Sequence, residues 1–311
     1  MDFSLLFLIA AFGGGLFGAA IGALPAFAFT GFAVLVGVGV SISGGEYDFL
    51  GNVAFGPVFG PHIAFAGGVA ATAFARRQNL IEDGKSIPTG LMGLDKPSVL
   101  LVGGVFGSLG YAINAGLATF LTGLTDTVAL TVFISAVIAR LAFGELGVFG
   151  TPDDDARARG RFTPGGGNVW VPYQQDWLQI SAVGLGVGAI SAFMYLTIAG
   201  VDESLGASAG VFLGFGVAAA SLVLLLIGVE IPVTHHIALP AAYGAMVFFP
   251  LLGPGGALVV GLVGGVLGAI VGEVSSRVFL IHGDTWIDPP ANGIWIVGSL
   301  FFIFGAILGT T

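Results

Sequence analysis

Pro61-His62-Ile63-Ala64-Phe65 and His235-His236-Ile237-Ala238-Leu239 are two copies of one pattern in this chain. In each copy a histidine stands at the head of an apolar run of small residues. Each copy also follows a segment rich in helix breakers, residues 56–60 in the first case and residues 231–234 in the second. We therefore expect two related halves, each with a broken helix that begins near its histidine.

The composition around these stretches is that of a membrane protein. Of 311 residues, 56% are hydrophobic and 9% are charged, whereas soluble domains carry roughly 25% charged residues. The apolar residues come in runs of about 17 to 25, the length that crosses a hydrocarbon core as a helix. The sequence thus predicts an all-α polytopic membrane protein. Since Met1-Asp2-Phe3 lacks a basic flank, the first run is expected to be a retained helix rather than a signal peptide.

Ten candidate membrane segments are predicted, five on each side of a polar connection. The segments cover residues 3–24, 26–43, 53–76, 98–121, 125–147, 177–200, 207–229, 232–252, 255–281 and 291–309. The predicted organisation is a first membrane repeat (residues 1–150), a polar cytoplasmic connection (residues 151–176) and a second membrane repeat (residues 177–311).

Internal similarity supports this division into repeats. Residues 101–107 match residues 262–268, and the Gly-x-x-x-Gly spacing of residues 14–18 recurs in residues 184–188. These matches and the histidine stretches occur in the same order in both halves. A repeat with an odd number of crossings places its second copy upside down, so five segments in each half predict inverted repeats, a plan known from secondary transporters.

The positions of the basic residues give the orientation. With ten crossings, all nine lie on or toward one side, which the positive-inside rule makes cytoplasmic; they are Arg76, Arg77, Lys85, Lys96, Arg140, Arg157, Arg159, Arg161 and Arg277. Both termini are then expected outside the cell membrane. In an alternative count, segments three and eight are re-entrant and the repeats are parallel, but Arg277 then lies on the other side from the basic loops.

Two further features of the composition have structural interpretations. The 54 glycines are expected to allow close packing of membrane helices, because little hydrophobic force acts between helices in lipid. The same small-residue stripes could form contacts in a homo-oligomer. The net charge of −9, with Asp153, Asp154 and Asp155 together, resembles the composition of proteins from extreme halophiles.

Polar residues inside membrane segments are costly and are often functional. His62 and His236 are the repeat-related pair, and His235 adds a third imidazole. A neutral imidazole at a helix start could donate to an oxyanion, coordinate a metal or relay protons. Hydrogen-bonded packing at a helix start is the structural alternative. We predict that these three histidines line a pathway for a substrate or ion.

A second polar layer is predicted from three other residues, Glu273, Tyr111 and Asn114. Glu273 is four residues before Arg277 and is expected to form an ion pair with it. Asp126 and Asp288 precede segments five and ten, where a carboxylate caps a helix or takes part in gating. No set of residues has the spacing of a metal site, and neither a metal nor a cofactor is predicted.

The motifs missing from the sequence narrow the function. There is no phosphate-binding loop and no dinucleotide fingerprint, and basic residues are too sparse for nucleic-acid binding. The leading hypothesis is a secondary transporter or channel for a small solute or ion, embedded in a lipid bilayer. A non-catalytic membrane scaffold or assembly subunit is the alternative, and an intramembrane metal-assisted hydrolase is the third.

Overall fold

The computed structural model describes residues 4–310, which fold into helices with no strands among them. The helices are α1 (Leu5–Ile21), α2 (Ala23–Ile42), α3 (Ala66–Arg77), α4 (Pro97–Leu121), α5 (Thr127–Phe143), α6 (Asp154–Arg159), α7 (Trp177–Ala199), α8 (Glu203–Leu226), α9 (residues 235–252), α10 (residues 254–275) and α11 (Pro289–Leu308).

The all-helical fold class is confirmed. Six helices in the described part of the chain are long and apolar enough to cross a membrane: Ala23–Ile42, Pro97–Leu121, Trp177–Ala199, Glu203–Leu226, His235–Leu280 and Pro289–Leu308. Helices α1 and α5 are apolar but shorter. A helix is present in each of the ten predicted segments, whereas the number of membrane crossings stays a prediction.

The longest of these helical stretches bends sharply at Gly253. Its backbone there has φ 64° and ψ −177°, a conformation open to glycine alone. Helix α10 then runs back along α9. Gly264 of α10 approaches the carbonyl oxygen of Pro240 in α9, and Gly244 of α9 approaches that of Val260 in α10. Residues 235–275 therefore form an antiparallel helical hairpin.

Irregular backbone precedes α3 and α9, as predicted. Residues 55–60 are not helical, and a π-helical turn at Pro61–Phe65 leads into α3. Residues 227–234 are likewise non-helical before α9. Their end is fixed by Gln174, whose side-chain amide donates to the carbonyl of Val233 at 2.8 Å and accepts from its N–H at 2.7 Å. The connection between the halves thus holds the start of α9.

Close helix contacts through glycine recur in the two halves. Helix α4 crosses α1 where Gly107 meets Gly15, and α10 crosses α7 where Gly265 meets Gly188. A β-carbon on Gly15, Gly107 or Gly265 would overlap the opposite backbone, and one on Gly188 would be in tight contact with it at 3.2 Å. These contacts make Gly265 the counterpart of Gly107. The match of residues 101–107 with residues 262–268 is therefore out of register by three residues.

The two histidines hold equivalent places in this packing. Gly110 lies against the carbonyl oxygen of His62, and Gly268 lies against that of His236. In each half the backbone of the histidine thus faces α4 or its counterpart α10. The glycine that it contacts is three residues after the glycine of the crossing just described. The predicted equivalence of His62 and His236 therefore corresponds to a shared packing role.

Corresponding helices from the two halves pack against each other in opposite directions. In α2 and α8, Gly31 meets Ala219 and Ala220, and Gly216 meets Val34 and Leu35. The α5 and α11 pair behaves in the same way. Near the start of α5, Thr125 Oγ1 is 2.7 Å from Ser299 Oγ, halfway along α11. Near the end of α5, Arg140 Nε donates at 2.9 Å to Thr285 Oγ1, which precedes α11.

The loops that carry the basic residues come together at one end of the molecule. Arg76 forms ion pairs with Glu145 at 2.9 Å and with Asp284 at 3.2 Å. Arg277 donates a hydrogen bond to the carbonyl of Gln175 at 2.9 Å. We call this end, with residues 78–96, 144–176 and 281–288, the basic face. The other end, with residues 43–60, 122–126 and 200–202, contains no lysine or arginine and is called the opposite face.

Candidate functional site: a cavity between the two halves

A cavity of about 370 Å³ lies between the halves and is called the main cavity. Helices α2 and α5 and the π-helical turn before α3 contribute to its wall from the first half, as do α8, α9 and α11 from the second half. Its lining includes two exposed residues, Gly123 of the opposite face and Ala207 near the start of α8. The main cavity therefore opens toward that face.

A smaller cavity of about 180 Å³, the inner cavity, lies toward the basic face. Lys85 and Pro88 of the basic face line it, together with Trp170 from the connection between the halves. Four residues line both cavities and form the wall between them, which we call the septum: Phe27, Phe65, His235 and Asp288.

Phe27 is at the centre of the septum. Its ring centroid is 4.6 Å from that of His235 and 5.7 Å from that of Phe65. Phe215 adds a third ring at 5.9 Å. The septum thus consists of three packed rings and one carboxylate. The first half contributes Phe27 and Phe65, and the second half contributes His235 and Asp288.

Two carboxylates line the main cavity at different depths. Asp126 caps α5 by accepting from the N–H of Ala129 at 2.8 Å, and its other oxygen accepts from the hydroxyl of Tyr243 at 2.7 Å. Asp288 caps α11 by accepting from the N–H of Ala291 at 2.8 Å. Its second oxygen accepts from the indole N–H of Trp286 at 2.9 Å. Both aspartates therefore cap their helices, which is one of the two roles considered for them.

The depth difference follows from helix geometry. Thr125 adjoins Trp295 and Ser299 of α11, seven to eleven residues beyond Asp288. At a rise of 1.5 Å per residue, Asp126 therefore lies roughly 10 to 17 Å nearer to the opposite face than Asp288. One carboxylate is at the septum, and the other is in the body of the main cavity.

The charge around the two cavities is uneven. The main cavity is lined by Asp126 and Asp288 but by no lysine or arginine of the described chain. The inner cavity is lined by Lys85 and by the same Asp288. Burial lowers the pKa of Lys85, and the nearby carboxylate of Asp83 opposes that shift. Among the described residues, a lysine thus lines only the cavity on the basic side of the septum.

The three predicted pathway histidines separate into two kinds. His235 lines both cavities and is 5% exposed, and its Nδ1 has no hydrogen-bond partner within residues 4–310. His62 and His236 are buried and line neither cavity. Neither ring nitrogen of His62 is hydrogen-bonded to the described chain, and His236 packs on the indole of Trp170 at 5.5 Å.

The predicted second polar layer does not adjoin the main cavity. Tyr111 accepts a hydrogen bond from the N–H of Ser4 at 3.0 Å, near the opposite face, and Asn114 is buried in the same helix. Glu273 forms the predicted ion pair with Arg277 at 2.8 Å, near the basic face. These residues lie toward opposite ends of the molecule, so they do not form one layer.

Tyr243 and the phenylalanines of the septum are cavity residues that the sequence analysis missed. A helical signal was available for Tyr243, because His235, Leu239, Tyr243 and Met246 follow one another at intervals of three or four residues and all line the main cavity. Phe27 and Phe65 had no such signal among 27 phenylalanines.

A comparison with protein families finds the same family model in both halves of the chain. Its description is "family of unknown function (DUF7973)", and it matches residues 1–157 and residues 150–310. The chain belongs to the DUF7973 family. The two matches meet in the polar connection between the halves. No curated protein and no solved structure matches the chain.

Proposed function

We propose that the protein is an integral membrane transporter or channel for a small solute or ion, with its pathway between two inverted five-helix repeats. One observation carries the proposal. Two cavities on opposite sides of one septum lie on the interface between the halves, one facing the basic face and the other the opposite face. A solute that passed the septum would move from one face to the other.

The proposed arrangement in the bilayer rests on the directions of the helices. The pairs α2 with α8 and α5 with α11 are antiparallel, as a two-fold axis perpendicular to the helices requires of related elements. Counting α9 and α10 as separate crossings gives five in each half. All basic residues belong to one end, so we place the basic face in the cytoplasm and both termini outside.

In this arrangement the structure has an outward-open form. The main cavity opens to the outside, and the septum closes it toward the cytoplasm. Alternating access would follow from movement of one half against the other, which opens the septum and closes the outer mouth. The antiparallel interfaces of α2 with α8 and α5 with α11 are where that movement would occur.

A membrane scaffold is the second candidate. It is favoured by the glycine contacts inside each half, where backbones touch, and by the burial of His62 and His236 away from both cavities. In a scaffold the septum would be a permanent part of the core, and the main cavity would be a surface cleft.

Labelling of single cysteines distinguishes the two candidates, and the chain has no cysteine of its own. Ala129→Cys places a thiol inside the main cavity, with Thr122→Cys, exposed on the opposite face, as the control for the outside and Lys85→Cys as the control for the cytoplasm. A membrane-impermeant cationic thiol reagent is applied to right-side-out and inverted vesicles. A transporter or channel gives labelling of Ala129→Cys from both sides. Labelling from the outside alone, with both controls behaving as placed, would overturn the proposal in favour of the scaffold.

A further inference from the structure

Aromatic rings and carboxylates together form the wall of the main cavity. Seven aromatic side chains line it: Phe27, Phe55, Phe65, Phe212, Phe215, Tyr243 and Phe302. Several are in contact, with Phe55 at 4.8 Å from Phe212 and 5.8 Å from Phe215 between ring centroids. Aromatic faces attract cations through their quadrupole and also accept apolar groups. The lining thus suits a ligand that has both a positive charge and apolar groups.

The carboxylates have acceptor capacity beyond their structural bonds. Each oxygen of Asp126 and Asp288 accepts at least one hydrogen bond in the structure, whereas an ionised carboxylate offers about four acceptor sites. No lysine or arginine of the described residues lines the main cavity to compensate them. The negative charge of the cavity is therefore one that a cationic ligand would compensate.

His235 is a buried polar group at the inner end of the main cavity. Its ring is 95% buried, it lines the main cavity, and its Nδ1 has no partner in the described chain. A buried polar atom without a partner costs free energy. Because His235 belongs to the septum, this cost arises at the inner end of the main cavity, deeper than Asp126.

Other ligand classes fit the main cavity less well. An inorganic divalent cation needs several oxygen ligands around one point, and residues 4–310 contain no group of three or more histidine or acidic residues able to hold a metal. An anion would meet two carboxylates with no basic residue nearby. A neutral apolar solute would leave both the carboxylates and His235 without an interaction.

We propose that the main cavity binds a small organic cation with an ammonium group. The ammonium lies near Asp126 and Tyr243, and its alkyl substituents lie against Phe55, Phe212 and Phe215. This inference rests on the proposed function, since it names the class of solute that the pathway would carry. Binding can nevertheless be measured without transport.

The probe pair is choline and its neutral carbon isostere, 3,3-dimethylbutan-1-ol, titrated into purified protein in detergent by isothermal calorimetry. Choline is expected to bind and the isostere to bind at least about tenfold more weakly, since one charge-assisted contact is worth roughly that factor. Equal affinity for the two compounds, or no binding of choline, would refute the inference.

The matched variants are Asp126→Asn and Asp153→Asn. Both aspartates cap a helix, through the N–H of Ala129 and of Ala156 respectively, and asparagine preserves a cap. Only Asp126 lines the main cavity. Asp126→Asn is expected to weaken choline binding about tenfold and Asp153→Asn to leave it unchanged, and equal effects would refute the assignment.

The failure of this inference can be told apart from the failure of the transport proposal. Choline binding with labelling of Ala129→Cys from one side only would leave this inference standing and remove the transport proposal. Labelling from both sides without choline binding would leave the transport proposal standing and remove this inference.

Discussion

Gly110 and Gly268 show how single residues decide the packing of each half. Each lies against the carbonyl oxygen of a buried histidine, His62 or His236, where a β-carbon would collide with the backbone. In lipid, such close approach supplies much of the energy of helix association. The recurrence of the histidine pair is thus explained by packing at the start of a broken helix, whereas the neighbouring His235 adjoins the cavities.

Replacement of Gly110 by alanine is expected to destabilise the protein. The added methyl would overlap the carbonyl oxygen of His62, a backbone atom that cannot move aside, and such overpacking costs about 1 to 3 kcal/mol. Gly116 is the matched control, because it lies in the same helix with open space around its α-carbon. Gly116→Ala should be neutral or stabilising by up to about 1 kcal/mol. Unfolding of both variants in detergent would be followed by circular dichroism; equal midpoints would contradict the packing assignment.

At the scale of the helix, the sequence predicts position well and register poorly. The ten predicted segments each contain a helix, because long apolar runs bounded by glycine, proline and charge are strong signals. The alignment of the repeats was displaced by three residues in α4 and α10. Residues three apart share a face of a helix, so a shift of three keeps small residues matched with small residues in a stretch of glycine, alanine and valine.

The break between α9 and α10 depends on the conformation of Gly253. Alanine there is expected to cost about 1 to 3 kcal/mol, since its ψ of −177° at positive φ is essentially restricted to glycine. Gly255, two residues later and with free space around it, is the control, and Gly255→Ala should change stability by less than about 1 kcal/mol. The free energy of unfolding of both variants can be measured with denaturant in mixed micelles. If Gly253→Ala proved as stable as Gly255→Ala, the sharp bend would not depend on glycine.

At the scale of the molecule, the main cavity is built from residues far apart in the chain. Three of the residues predicted from the sequence line it: His235, Asp126 and Asp288. The other five do not line it: His62, His236, Tyr111, Asn114 and Glu273. Periodicity shows which residues share a helix face, but the packing of one half on the other decides which face borders a cavity. Phe27 and Phe65 line the cavity because of how the halves pack, so their role could only follow from the assembled fold.

The septum gives a prediction for the whole molecule. Phe27 separates the two cavities and contacts the rings of Phe65, Phe215 and His235, so Phe27→Ala should join the cavities into one path across the protein. Phe29 is on the same helix but is half exposed on its outer side, which makes Phe29→Ala the matched control. Liposomes that contain each variant would be placed in gradients of tetramethylammonium chloride and of erythritol, and their volume followed by light scattering.

Entry of at least one of the two solutes should be faster with Phe27→Ala than with wild-type protein or Phe29→Ala. The control matters because loss of a large side chain can also disturb folding, by about 3 to 5 kcal/mol for a core phenylalanine. Monodisperse elution of the Phe27→Ala protein and a retained thermal transition would show that it has folded. A folded variant whose liposomes exclude both solutes as wild type does would mean that the two cavities are not parts of one pathway, since removal of the ring at the centre of the septum is the smallest change that should connect them.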